Sequence, residues 1–286
     1  MPAGSAVSAT GRPEREHRSA QHEGTPGDHP ARAAYADLAP LDAVPSVAGW
    51  NAAAAAAGVA GPGGRPLRFV VQERRHAAID FERRIAADGE VPLREGNLHD
   101  AWNARVWLGF PRTKAALTAV HVAAGRVAAP NARNPARDAA TLLDESGALV
   151  ACVLPGLLGH WRRHAWREAF GGPADALARR LVAVIVGHGI LARLDRPFPG
   201  LTAKALVVAL DPDTLPAEPA LRRRALDLAA AARIADPALG FAPADLLPLP
   251  LIALPAWAPG GSGDARFADL SVFRPARRPR YGAAGP

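Results

Sequence analysis

Along much of the chain apolar residues recur every three to four positions. In other windows they run together between turn residues, which separates helical from extended segments. Leu67 to Gln72 reads as a short strand, and Ala77 to Ala87 as a helix closed by Gly89. Leu98, Trp102 and Val106 form a helical stripe, with Asn97 placed to cap the first turn and Asp100 three residues on. Gly109 and Pro111 end that helix, a second over 113–124 ends at Gly125, and the two read as a helical hairpin. Residues 126–136 read as loop. Ala139 to Asp144 and Ala148 to Val153 then read as the strands of a β-hairpin turning through Asp144-Glu145-Ser146-Gly147. Pro155 opens a helix to about Phe170. The spacing of Leu177, Leu181, Val184, His188 and Leu191 predicts another over 175–194. Ala205 to Leu210 reads as a strand, and Glu218 to Ala235 as a helix that Pro237 terminates. From Pro243 onward prolines punctuate an apolar segment, which predicts an irregular wrap and no regular strands. The order is that of an α+β fold, with a helical hairpin and further helices on a small mixed or antiparallel sheet.

Composition refines this picture at the ends. Residues 1–30 are Gly, Pro, Ser, His and charge with almost no large apolar group, so they read as a disordered leader without the apolar run of a secretory signal. Residues 31–64 form an Ala/Gly/Pro-rich lead-in, in which the Ala52–Ala57 run meets Gly58 and then Gly61-Pro62-Gly63-Gly64. A single α+β domain is expected over 65–280, with a flexible tail over 281–286. Cys152 is the only cysteine, which excludes a disulfide framework and a multi-thiolate zinc site. No window is apolar enough for a membrane span.

The chain carries a formal net charge of +7, and residues 65–210 hold 21 basic against 13 acidic groups. Only Lys114 and Lys204 are lysines, so arginine abundance reads as coding bias before it reads as selected chemistry. A solvated arginine surface accounts for the excess. An anionic small molecule or nucleic acid is the partner it would otherwise attract. No phosphate-binding loop, dinucleotide fingerprint or Gly-x-Ser-x-Gly elbow is present. The sequence specifies neither a metal nor a cofactor.

Candidate chemistry concentrates in short blocks. His99, Asn103 and Trp107 line up beside the apolar stripe of their helix, and a histidine with an amide one turn away can orient a water or a substrate. Asp100 doubles as a capping residue. Asp138 and Asp144 flank the first expected hairpin strand, where carboxylates serve turns or metal ions; Glu145 reads as a turn residue. His188 lies between Gly187 and Gly189, which would let another backbone approach closely, and it reads as a structural histidine or a site residue. His160, His164 and Glu168, one turn apart, make a weak metal row. Arg94, Arg112, Lys114 and Arg137 are the candidate anion-binding residues.

The run from Val91-Pro92 through Arg94-Glu95, Asn97-Leu98-His99-Asp100, Asn103 and Val106-Trp107-Leu108 to Phe110-Pro111-Arg112-Thr113-Lys114 is similar to the central signature of domain of unknown function 3025, a bacterial family. Arg137-Asp138-Ala139, Leu143-Asp144-Glu145, Gly187-His188, Gly200-Leu201-Thr202-Ala203, Leu247-Pro248-Leu249-Pro250 and Val272-Phe273-Arg274-Pro275 agree in order. The resemblance implies a bacterial, cytoplasmic protein and brings no activity with it. It draws attention to His99, Asn103, Asp138, Asp144 and His188. After Gly-Leu-Thr-Ala this chain has Lys204 where the family often has histidine, which weakens a metal-site reading.

Two functions of different class follow. One is an enzyme, a hydrolase using His99 as acid–base with Asp138 or Asp144 nearby, which requires the 94–114 and 137–145 blocks to share a cleft. The alternative is an anion-, nucleotide- or RNA-binding protein using an Arg/Lys-lined cleft, or a non-catalytic structural protein.

Overall fold

The computed structural model describes residues 29–38, 44–73, 78–127, 134–258 and 263–276. Of the leader expected over 1–30, residues 1–28 lie outside them, as does the tail over 281–286, while His29 and Pro30 cap and begin a short 3-10 helix to Tyr35. The fold is α+β, with a four-stranded mixed sheet and a separate two-stranded parallel one. Among the described residues no helix is long and apolar enough to cross a membrane.

The smaller unit is built on β1 (Arg68–Val71), α2 (Ala78–Asp88) and β2 (Glu90–Leu93), with β1 and β2 parallel and Phe69 opposite Val91. The alanine run forms α1 (Val47–Ala56), capped by Ser46, and Asn51 pairs its side-chain amide with both backbone groups of Phe69. Trp50, Phe69, Ile85, Val91 and Trp107 fill the core between these elements.

Helices α3 (Leu98–Gly109) and α4 (Pro111–Val127) follow with only Phe110 between them. Every residue of α3 from Asp100 to Leu108 is buried, so the helix is enclosed on all sides. The apolar stripe read from sequence is one of several faces it packs. Pro111 begins α4, two positions earlier than the periodicity indicated, and Asp227 caps its start by accepting from the Arg112 and Thr113 amides at 3.0 and 2.7 Å.

The first expected hairpin is absent. Residues Pro135–Ser146 form helix α5, and only Gly147–Ala151 is a strand, β3. The reason is local: Asn134 caps the helix by accepting from Arg137 N, and Pro135 occupies its first position. Asp138 then lies in the favoured acidic first turn, and Ala139, Ala140 and Leu143 make the buried face. The expected helix to Phe170 is two, α6 (Pro155–Arg162) and α7 (Trp166–Phe170), broken where His164 takes a left-handed φ of 56°.

The helix expected over 175–194 is three elements, α8 (Ala174–Ala178), β4 (Val182–Ile185) and α9 (His188–Arg193). Val-Ala-Val-Ile suits a strand, and its spacing coincided with helical periodicity by chance. After β5 (Thr202–Val208) and α10 (Pro219–Ala235) the proline-rich segment does form a strand, β6 (Leu246–Pro250). It lies at the sheet edge in the order β4-β3-β5-β6, where Pro248 and Pro250 occupy alternate positions and leave the pairing side intact. The wrap expected of this region continues beyond it in short 3-10 turns, with Leu251, Leu254, Phe267 and Phe273 in the main core. Strand β3 runs parallel to β5 and antiparallel to β4, and all five of its residues are buried.

One contact fixes how the sheet meets its helices. Chain leaves α5 and enters β3 without a loop, and the Gly147 carbonyl accepts from both Val186 N and Gly187 N at 3.0 and 2.9 Å. A Cβ on Gly187 would lie 2.3 Å from Gly147 N and 2.6 Å from Ser146 C, both backbone atoms that cannot give. Replacing Gly187 with Ala is therefore expected to destabilise the fold by at least the upper part of the about 1–3 kcal/mol typical of overpacking. Gly156→Ala, whose Cβ would meet nothing within 4 Å, should stay within about 0.5 kcal/mol of wild type. Urea unfolding of the two variants measures the difference.

Candidate functional site

Three helix ends meet at one corner. The first turn of α3 brings His99 and Asp100, the last turn of α5 brings Asp144 and Glu145, and α9 opens on His188. Asn97 starts α3 by accepting from Asp100 N at 3.0 Å, as the sequence indicates. Gly189 leaves room for the Glu145 side chain: a Cβ there would lie 2.7 Å from Oε2 and 2.9 Å from the Glu145 carbonyl. The close approach inferred for the Gly-His-Gly motif is thus present, and its partner is α5.

The imidazoles of His99 and His188 meet edge to face, with centroids 4.5 Å apart. Each turns Nε2 toward Glu145: His99 Nε2 lies 3.5 Å from Oε2, and His188 Nε2 3.5 Å from Oε1. Each also has a carboxylate on its other side, Asp100 Oδ1 at 3.5 Å from His99 Nδ1 and Asp144 Oδ1 at 3.8 Å from His188 Nδ1. The carboxylates are anchored in turn. Asp100 accepts from Arg94 N, Nε and Nη2 at 2.7–2.9 Å, and Asp144 accepts from Lys114 Nζ at 2.5 Å. The His188 side chain is only 6% exposed and forms the floor, whereas His99 at 42% and Glu145 at 49% are open to solvent. Among the described residues His99, Glu145 and His188 are the one group of three His, Cys, Asp or Glu whose donor atoms could share a metal ion.

The charges reinforce one another. Hydrogen bonding to Asp100, then to Glu145, raises the His99 pKa to about 9. The hydrogen bond from His188, then that from His99, holds the Glu145 carboxyl well below the usual carboxylate range. Burial opposes ionisation of Asp100, but the Arg94 side chain and His99 outweigh it and depress its pKa. At Asp144 burial is likewise outweighed, by the charges of Lys114 and His188. Behind this layer Glu82 accepts from Thr118 Oγ1 at 2.8 Å, and burial raises its pKa.

Of the residues expected to carry chemistry, His99, Asp100, Asp144 and His188 converge. Asn103 sits one turn below His99, buried, with its Oδ1 lacking a hydrogen-bond partner among the described residues. Asp138 does not join them: it lies in the first turn of α5, about 9 Å along the helix axis from Asp144. Glu145, read as a turn residue, is the central carboxylate. Its helical setting, signalled by the Asn134-Pro135 start, is what would have placed it beside Asp144.

The four basic candidates divide into two pairs. Arg94 and Lys114 are committed to Asp100 and Asp144, while the side chains of Arg112 and Arg137 are exposed. The His160–His164–Glu168 row is broken by the turn at His164, whose Nδ1 instead contacts the Arg274 carbonyl at 3.0 Å. Lys204 pairs in register with Gly147, two residues beyond Glu145, and the His99–Glu145–His188 group is complete without it. Cys152 is buried, which pushes its thiol pKa up.

The sign of the pH dependence follows from His99. Its proton binds more tightly in the folded than in the unfolded chain, so the stability it contributes is complete below about pH 6.5. That contribution is lost as pH rises through about 9. In metal-free buffer the Tm of wild type relative to His99→Asn should fall between those limits. A difference that stays flat across the window would contradict the coupling.

The model of a family described as a protein of unknown function, DUF3025, matches residues 67–277. No curated protein and no solved structure matches the chain. The matched span includes both sheets and all of the converging side chains, and the chain belongs to the DUF3025 family.

Proposed function

We propose that this protein is an enzyme, a hydrolase that activates water at the corner formed by His99, Glu145 and His188. The observation that supports this reading is directional. Two imidazoles from separate elements turn their Nε2 atoms to one accessible carboxylate, and a second carboxylate stands behind each ring. A carboxylate on the Nδ1 side of a histidine biases the ring whose other nitrogen does chemistry, at His188 through charge alone, since Asp144 stands 3.8 Å away. Histidines that merely fill a core have no need of such aim. Placing five charged or titratable groups together, three of them largely covered, also costs stability that a structural role does not repay.

The groups at this corner are imidazoles and carboxylates, which serve water better than they serve covalent nucleophilic catalysis. His99 and Glu145 line the open side, so the substrate approaches there, while His188 and the Lys114–Asp144 pair stay below. The commitment of Arg94 and Lys114 to carboxylates argues against an anion-binding cleft built on them.

The test is turnover of p-nitrophenyl acetate, p-nitrophenyl phosphate and bis-p-nitrophenyl phosphate in metal-replete buffer. Hydrolysis of at least one is expected, with kcat/KM reduced about 100-fold or more in His188→Asn. Asp138→Asn, at the other end of α5, should retain wild-type rates. No turnover of any of the three, or equal rates in wild type and His188→Asn, would overturn the assignment.

A further inference from the structure

We infer that the His99–Glu145–His188 corner binds one divalent first-row transition-metal ion, held by the two Nε2 atoms and the Glu145 carboxylate. This rests on the same corner being the active site and names the cofactor that activates the water. The spacing supports it. Donor atoms about 2.1 Å from a tetrahedral ion stand about 3.4 Å from one another. Glu145 Oε2 lies 3.5 Å from His99 Nε2 and its Oε1 3.5 Å from His188 Nε2, and one donor atom from each of the three residues lies within 4.8 Å of the others.

The surroundings are those of a ligand set. Asp100 and Asp144 stand on the Nδ1 side of the two rings, where carboxylates orient metal-binding histidines. Arg94 and Lys114 hold those carboxylates in place. Nδ1 of the buried His188 has no hydrogen-bond partner, so its ring position is not explained by a satisfied core histidine. Gly189 leaves open the space that Glu145 occupies.

Charge points the same way. Asp100, Asp144 and Glu145 against Arg94 and Lys114 leave a formal charge of −1 when both imidazoles are neutral. That local balance, with the Glu82 carboxyl beyond it, suits a bound cation, and a divalent ion there would supply activation of water for hydrolysis. Two nitrogens and one carboxylate select zinc, cobalt or iron(II) over the all-oxygen preference of magnesium and calcium. Three protein ligands leave a position for water on the solvent side, between His99 and Glu145.

The experiment uses the untagged full chain, stripped with a chelator and titrated with cobalt(II), then with zinc in competition. Elemental analysis gives the stoichiometry. One ion per chain is expected, with visible d–d bands of a four- or five-coordinate site, displaced by zinc but not by millimolar magnesium or calcium. Glu145→Gln and His99→Gln, both at the open side, should abolish the bands while circular dichroism stays native. Asp100→Asn should weaken binding about 10–100-fold. Absence of binding, bands unchanged in both open-side variants, or displacement by magnesium or calcium would each overturn the metal assignment. Turnover that resists chelator yet depends on His188 would remove the metal and leave the hydrolase. Tight binding that Glu145→Gln abolishes, without turnover, would do the reverse.

Discussion

The architecture of the site depends on one close approach of backbones, where the end of α5 and the start of β3 pass against the start of α9. Gly147 and Gly187 make it passable: a side chain on either would lie within about 2.3 Å of backbone atoms of the neighbouring segment or of Leu143. Neither glycine has a positive φ, so the requirement is for space and not for an unusual conformation. Because the Gly147 carbonyl also binds two successive amides of the 186–187 turn, α9 cannot shift relative to α5. Glu145 and His188, each within two residues of this contact, are held together as a consequence. Helix α3, packed on α9, then delivers His99 to the same point.

Around that contact the charged groups form an ordered sequence. Each imidazole has a carboxylate behind it, and each carboxylate has a cation behind it. The arrangement pairs charges whose burial would otherwise be costly and turns both Nε2 atoms toward Glu145. The Phe110–Lys114 stretch therefore has two tasks. The Arg112 and Thr113 amides receive the Asp227 cap that begins α4, and one residue later Lys114 fixes Asp144. Of its polar residues, which read as an anion cleft in one dimension, Thr113 and Lys114 turn to internal partners in three, while Arg112 contributes its backbone amide and keeps its side chain exposed.

How much was legible depended on whether a signal was local. The Asn97 cap, the helix after it, the α10 segment and the close approach at Gly187-His188-Gly189 are local facts, and sequence disclosed them. Helix α5 was hidden because Asp144-Glu145-Ser146-Gly147 has the chemistry of a hairpin turn, while its true start, Asn134-Pro135, sat in what looked like loop. Glu145 is hidden with it, since the last turn of that helix is what carries both Asp144 and Glu145 to His188. Strand β4 was masked because Leu177, Leu181, Val184 and His188 keep helical spacing across a strand and a turn. The prolines of β6 argued against a strand until its place at the sheet edge became known. The pairing of His99 with His188 is tertiary, and no spacing in the chain encodes it.

The most direct measurement is a crystal structure of the protein grown with zinc, with diffraction recorded on both sides of the zinc absorption edge. The account predicts one anomalous peak per chain, about 2.0–2.2 Å from Nε2 of His99, Nε2 of His188 and the Glu145 carboxylate. Asp100 and Asp144 should remain on the Nδ1 sides of the rings. A map with no peak at that corner, or with the two imidazoles turned away from Glu145, would contradict it.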